Sequence, residues 1–126
     1  MISKLEHIGV MVKDMDVSVA FYTEVLGLRL VERVRVDEKL ELGLLSLPGS
    51  ENVQIELISR GHDGIPAAGK VDHIAFTVTD IDAEVEKLRA RGVKLIDEKS
   101  RELPALNARI AFFYGPDGEK LEFFQR

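Results

Sequence analysis

The chain alternates between apolar and polar positions in short runs, and the period of the alternation changes in the same order twice. Over 5–12, Ile8, Val10 and Val12 fall on one side of an extended strand and His7, Gly9 and Met11 on the other. The period then lengthens. Met15, Val19, Tyr22 and Leu26 follow at helical spacing, Asp14 or Asp16 can cap the helix, and Gly27 can close it in a left-handed conformation. Strand-like runs at 29–36, 40–47 and 53–59 complete the half. The second half repeats the succession: His73 opposes Ile74, Phe76 and Val78, Ile81, Val85 and Leu88 form a helical stripe, and Gly92 can end it. Runs at 93–97, 109–114 and 120–125 follow, with Gly115, Pro116, Asp117 and Gly118 as a turn before the last. Each half reads β-α-β-β-β, which predicts an α+β fold of two tandem modules.

An offset of 66 positions superposes the two halves. It pairs His7 with His73, Ile8 with Ile74, Val12 with Val78, Asp14 with Asp80, Asp16 with Asp82, Val19 with Val85, Gly49 with Gly115 and Glu56 with Glu122. The modules run over 1–60 and 70–126 of a single domain, and the segment 61–69, with three Gly and one Pro, is a short connector. His62 has no counterpart in the repeat and reads as a solvated connector residue. The stretch 98–107, which carries Pro104, reads as a surface loop long enough to act as a flap.

Composition narrows the classes. With 126 residues and 45% apolar content the chain can bury one core without staples. It has no Cys, which removes thiolate ligands and a Cys nucleophile and fits a reducing compartment. A net charge of −5, from 17 basic and 22 acidic residues, argues against sequence-independent nucleic-acid binding. No apolar run reaches membrane-spanning length, and the segment 1–6 is too short and polar for a secretory signal, so a cytoplasmic protein without a membrane partner is the expectation.

Strand parity turns the repeat into a candidate site. His7 opposes the apolar side of its strand, as His73 does, while Glu56 opposes Val53, Ile55 and Leu57, and Glu122 opposes Leu121 and Phe123. All four point away from the face that packs under the helices, toward the other side of a curved sheet, where the same-face neighbours Gly9, Met11, Ala75 and Thr77 are mostly small enough to leave room for a ligand. A lone His in an apolar strand is usually a satisfied core residue, and a lone Glu in a strand usually faces solvent. The same pair on matching strands in matching parity points instead to a divalent metal held by His7, Glu56, His73 and Glu122. Nickel, cobalt, zinc and manganese all suit two nitrogens and two carboxylates.

At these residues the chain resembles the vicinal oxygen chelate superfamily, and within it glyoxalase I. The likeness is carried by 7–10, the helix end 21–28, the strand 55–57, the segment 72–76, and 115–118 leading into 121–123. The resemblance implies paired β-α-β-β-β modules forming a cup around one divalent metal, with His7, Glu56, His73 and Glu122 at the ligand positions of bacterial glyoxalase I. It also implies a small-molecule substrate, the hemithioacetal of methylglyoxal and a thiol, isomerised by a metal-bound Glu acting as base, and a homodimer whose modules pair within one chain or across two.

The chemistry is reasonable independently of the resemblance. A metal can polarise a carbonyl and stabilise an enediolate while a carboxylate beside it moves a proton on carbon, which makes Glu122 first and Glu56 second as the catalytic base. Bacterial glyoxalase I carries an Arg four residues after the first ligand His, to hold a glutathione carboxylate; here that position is Met11. Arg60 and Arg109 are the expected substrate-binding residues in its place. Two other readings remain open: methylmalonyl-CoA epimerase, which also moves a proton beside a thioester, and a non-catalytic module that sequesters a small molecule such as an antibiotic.

Overall fold

A computed structural model of the chain describes residues 1–62, 64–66, 69–116 and 118–126. Asp117 of the expected turn, and Asp63, Ala67 and Ala68 of the connector, lie outside the described residues. The chain divides into two compact units, one of residues 7–72 and one of 73–126 together with 1–6. Among the described residues no helix is long and apolar enough to cross a membrane.

The first unit takes the end of β1 (Ile2–Met11) and then α1 (Met15–Ala20), β2 (Arg29–Arg35), β3 (Glu41–Leu47) and β4 (Ser50–Ser59). Its strands lie in the order β2-β3-β4-β1, with β1 parallel to β4 and the other pairs antiparallel. The cap of α1 is Asp14, whose carboxylate accepts from the Val17 N–H at 3.1 Å; Asp16 sits in the first turn instead. Met15, Val19 and Tyr22 pack with Val10, Val12, Leu28, Leu45, Ile55 and Leu57. The helix reaches the sheet over Gly43, where any Cβ would stand 2.9 Å from the Met15 sulfur.

Leu26 does not join that stripe and is 50% exposed. From Phe21 to Val25 the helix widens into a π-helical turn in which the Leu26 N–H reaches back five residues to the Phe21 carbonyl, 3.2 Å away. Thr23 Oγ1 donates to the Val19 carbonyl at 2.7 Å, a side-chain bond into the backbone ladder that bends and loosens helices. Gly27, at φ 79°, then ends the helix.

The second unit contains β5 (Val71–Val78) from His73 on, α2 (Ile81–Ala90), β6 (Arg101–Leu103), β7 (Ala108–Tyr114) and β8 (Lys120–Gln125), in the order β5-β8-β7-β6. Residues 1–6 are tied to it by Thr77 Oγ1, which donates to the Glu6 carboxylate at 2.6 Å. The Met1 ammonium also donates to Glu84 on α2, and that bond, with Lys87 beside it, holds the Glu84 carboxyl below the ordinary Glu range. Asp80 caps α2 through the Ala83 N–H at 3.2 Å. At the other end Gly92, at φ 76°, lets its own N–H reach the Arg89 carbonyl and the Val93 N–H reach that of Leu88.

The repeat is a repeat of the core. Adding 66 to Val12, Met15, Leu45 and Leu57 gives Val78, Ile81, Ala111 and Phe123, all buried in the second cluster, where Val85 and Phe113 join them. Phe113 and Phe123 meet with ring centroids 4.7 Å apart. Removing either helix cap should cost about 1 kcal/mol. Asp14→Ala and Asp80→Ala are each expected to lower the denaturation midpoint without changing the slope; a neutral result in both would show that the caps are dispensable.

Two expectations for the second half change. Segment 93–97 is no full strand: Leu95 bridges Phe113, and then the ladder stops. The Ile96 and Asp97 N–H groups both converge on the Phe112 carbonyl, while the Asp97 carboxylate takes the Phe112 N–H at 2.8 Å, so a side chain replaces the backbone partner. Conversely 98–107 is not an open loop. Arg101, Glu102 and Leu103 pair with Ile110, Arg109 and Ala108, and Pro104 opens a 3-10 turn over Pro104–Leu106 that buries Leu106. Asn107 closes it at φ 52°, a conformation that Asn tolerates better than most residues.

Candidate metal centre

In the first unit the parallel ladder sets His7 beside Gln54, and Gly9 beside Glu56. Residues directly opposite on neighbouring strands share a face, and so do residues two apart on one strand. His7, Gly9, Gln54 and Glu56 therefore lie on one face, with Leu44 and Ser46 of β3 next to them. The other face, with Val10, Leu45, Ile55 and Leu57, lies under α1. His7 Nε2 stands 3.5 Å from Glu56 Oε2, and their side chains are 1% and 6% exposed.

The second unit repeats this construction. Ala75 pairs with Glu122 in a parallel ladder, as Gly9 pairs with Glu56, and His73 lies two residues before Ala75 on the same face. His73 Nε2 is 3.6 Å from Glu122 Oε1, each side chain 4% exposed. Phe112 lies opposite Glu122 across β7 and β8, and its ring meets that of His73 edge to face, centroids 5.2 Å apart. The structure thus brings His7 to Glu56 and His73 to Glu122, each pair buried and built on rigid strands.

Separations of 3.5 and 3.6 Å are wider than an ordinary hydrogen bond. Two atoms each about 2.1 Å from one ion, at tetrahedral or octahedral angles, stand roughly 3–3.5 Å apart. Each pair offers one imidazole nitrogen and one carboxylate oxygen, and burial of the carboxylate is costly unless a cation or hydrogen bonds offset it. The donor set fits a divalent metal, and His7, His73 and Glu122 carry side chains of the kind that hold one.

The expected substrate-binding residues are placed differently. Arg60 follows β4 and donates to Asp72 at 3.2 Å, where it neutralises a carboxylate that is only 8% exposed. Arg109 pairs with Gln125 across the ladder, and Gln125 accepts the Ile81 N–H at the start of α2. Arg109 is thus on the α2 side of β7, bonded to Ser100, and is not brought to the face of Glu122. His62 accepts the Gly64 N–H within the connector. Three residues that the sequence reading did not single out do lie at the second pair: Phe112, and the cations of Arg101 and Lys120 over its ring. Lys120 could have been found by parity, being two residues before Glu122; Arg101 could not, since it depends on the β6–β7 register.

Fold and pairs together define a class. The chain belongs to the Glyoxalase/Bleomycin resistance protein/Dioxygenase superfamily, whose family model matches residues 4–123. It is 41% identical to Uncharacterized protein YwbC of Bacillus subtilis over the whole of both chains. It is 35% identical to the lactoylglutathione lyase of Haemophilus influenzae, covering 94% of this chain and 90% of that one. Among solved structures, methylmalonyl-CoA epimerase from Mycobacterium tuberculosis matches with a TM-score of 0.84 at 30% identity, over 98% of this chain and 88% of the other. The α+β, glyoxalase-like fold is thereby shared, and two of these three relatives are named as enzymes.

Proposed function

We propose that this protein is a metal-dependent lyase or isomerase of the glyoxalase I type, which isomerises a hemithioacetal of methylglyoxal and a thiol by moving a proton at carbon. The observation that carries this reading is the repeated buried pair, His7 with Glu56 and His73 with Glu122, at nearly equal spacing. In this reading both modules make one domain, and the two pairs together hold one divalent ion of Ni, Co, Zn or Mn. The bound ion would supply polarisation of the substrate carbonyl. The protein supplies the base. Glu122, with the small Ala75 beside it, removes the proton from the carbon that bears sulfur and returns it to the neighbouring carbon, so that the hemithioacetal leaves as a 2-hydroxy thioester. Glu56 is the second candidate for that role. The strands keep both buried carboxylates in place. The setting we propose is a cytoplasmic homodimer acting on a small molecule.

The match to methylmalonyl-CoA epimerase supports a second reading, since that reaction needs the same movement of a proton beside a thioester. Turnover separates the two. Metal-loaded protein should be screened against methylglyoxal hemithioacetals of several thiols and against methylmalonyl-CoA. Conversion of a hemithioacetal to its 2-hydroxy thioester is the expected result. Conversion of methylmalonyl-CoA alone would move the assignment to the epimerase, and binding without conversion of any substrate would favour a sequestering module.

A further inference from the structure

Ser46 breaks the pattern of its strand. The other buried residues of β3 are Leu42, Gly43, Leu44 and Leu45, and Ser46 is buried with them at 2% exposure. Its hydroxyl makes no hydrogen bond among the described residues, so it neither caps the turn that follows nor ties one strand to another. A buried hydroxyl in that state lowers stability relative to an apolar side chain of similar size, and its use has to be sought outside the fold. The register shows where that use lies. Ser46 stands opposite Gln54 across β3 and β4, and Gln54 stands opposite His7 across β4 and β1, so the three form one row on the face that carries Glu56. Gln54 is half-buried and adds an amide oxygen and two N–H donors beside the hydroxyl. The repeat does not require this pair, since the corresponding residues opposite each other in the second unit are Tyr114 and Lys120.

We infer that Ser46 and Gln54 are specificity-determining residues that hydrogen-bond an uncharged hydroxyl of the substrate, one beyond the oxygens of the reacting carbons. This rests on the proposed isomerase reading. A hydroxyl both donates and accepts, so it can accept from the Ser46 O–H and donate to the Gln54 amide oxygen. Neither side chain carries a charge that would offset a buried carboxylate or ammonium there, which favours a neutral group. In a methylglyoxal hemithioacetal the aldehyde part has oxygen only on its reacting carbons and ends in a methyl group, which pairs with neither side chain. The further hydroxyl therefore comes with a hydroxylated 2-oxoaldehyde or with a hydroxylated thiol.

The test uses two pairs of hydroxamates, bidentate metal chelators that are not turned over, titrated into the nickel-loaded protein by calorimetry. Glycolohydroxamate and propionohydroxamate differ by a hydroxyl in place of a methyl on the acyl side. N-(2-hydroxyethyl)acetohydroxamate and N-propylacetohydroxamate differ in the same way on the side where the sulfur of a hemithioacetal would lie. In one pair the hydroxyl probe should bind at least about fivefold tighter than its methyl partner, as expected for one or two neutral hydrogen bonds. The pair that shows the preference tells whether the hydroxyl belongs to the aldehyde or to the thiol. In Ser46→Ala and in Gln54→Leu that ratio should fall to about one. Without metal or ligand, Ser46→Ala should melt no lower than the unmutated protein, because the hydroxyl it removes has no partner in the fold. No preference in either pair, no binding of any probe, a ratio undiminished in either variant, or a lower Tm for Ser46→Ala would each overturn the inference. Since the probes are not substrates, absence of turnover in the hemithioacetal screen defeats the isomerase reading separately from the hydroxyl site.

Discussion

Glu122→Gln is expected to stop exchange of the substrate's carbon-bound proton with deuterated solvent, lowering the rate by about 10² to 10⁴-fold, the usual contribution of a positioned general base. The amide has the shape of the carboxylate and sits at the same point of the β5–β8 ladder, so the fold should survive the loss of the basic oxygen. Glu56→Gln is the necessary comparison, because it makes the equivalent change in the other unit at the equivalent register, beside Gly9. Metal content has to be measured in the same samples, since losing a ligand can expel the ion. The base is the Glu whose amide variant keeps its metal yet fails to exchange. Near-normal exchange by both metal-loaded variants would remove the carboxylate base from the mechanism.

That comparison is possible because the two His/Glu pairs were legible in the sequence. The offset that pairs His7 with His73 and Glu56 with Glu122 also pairs the core residues, so one repeated pattern specified both which faces meet the helices and which faces carry the polar pairs. Parity was sufficient because each pair lies on adjacent parallel strands whose register repeats from unit to unit. What was not legible depends on competition between side chain and backbone. Thr23 Oγ1 bonds the Val19 carbonyl where the first helix widens and Leu26 is exposed, and the Asp97 carboxylate takes the Phe112 N–H where the strand expected at 93–97 stops. The turn that joins β6 to β7 is built on Pro104 and Asn107, two residues that in a sequence signal a loop. The β6–β7 register then decides which Arg shares a face with Glu122: Arg101 lies on the face of Phe112, whereas Arg109 lies on the side of α2. Nothing in the residue types alone distinguishes those two.

Metal should stabilise the protein strongly, and the loss of one His from either unit should abolish most of that gain. A ligand that binds only the folded state at a thousandfold excess over its dissociation constant adds about 4 kcal/mol, which for a domain of this size raises Tm on the order of 10 °C. His73→Ala removes one nitrogen donor and the edge-to-face contact with Phe112, so the metal-free variant should already melt lower. The informative quantity is the increment on adding metal to each variant, not its starting stability. If both pairs serve one ion, His7→Ala and His73→Ala should each lose most of the increment, although the two residues belong to different units. If each pair held its own ion, the unmutated protein would carry two per chain, and each variant would keep the half belonging to its intact unit. Two metals per chain, or half of the increment surviving in both variants, would therefore reject the shared centre even if the enzyme turned over its substrate.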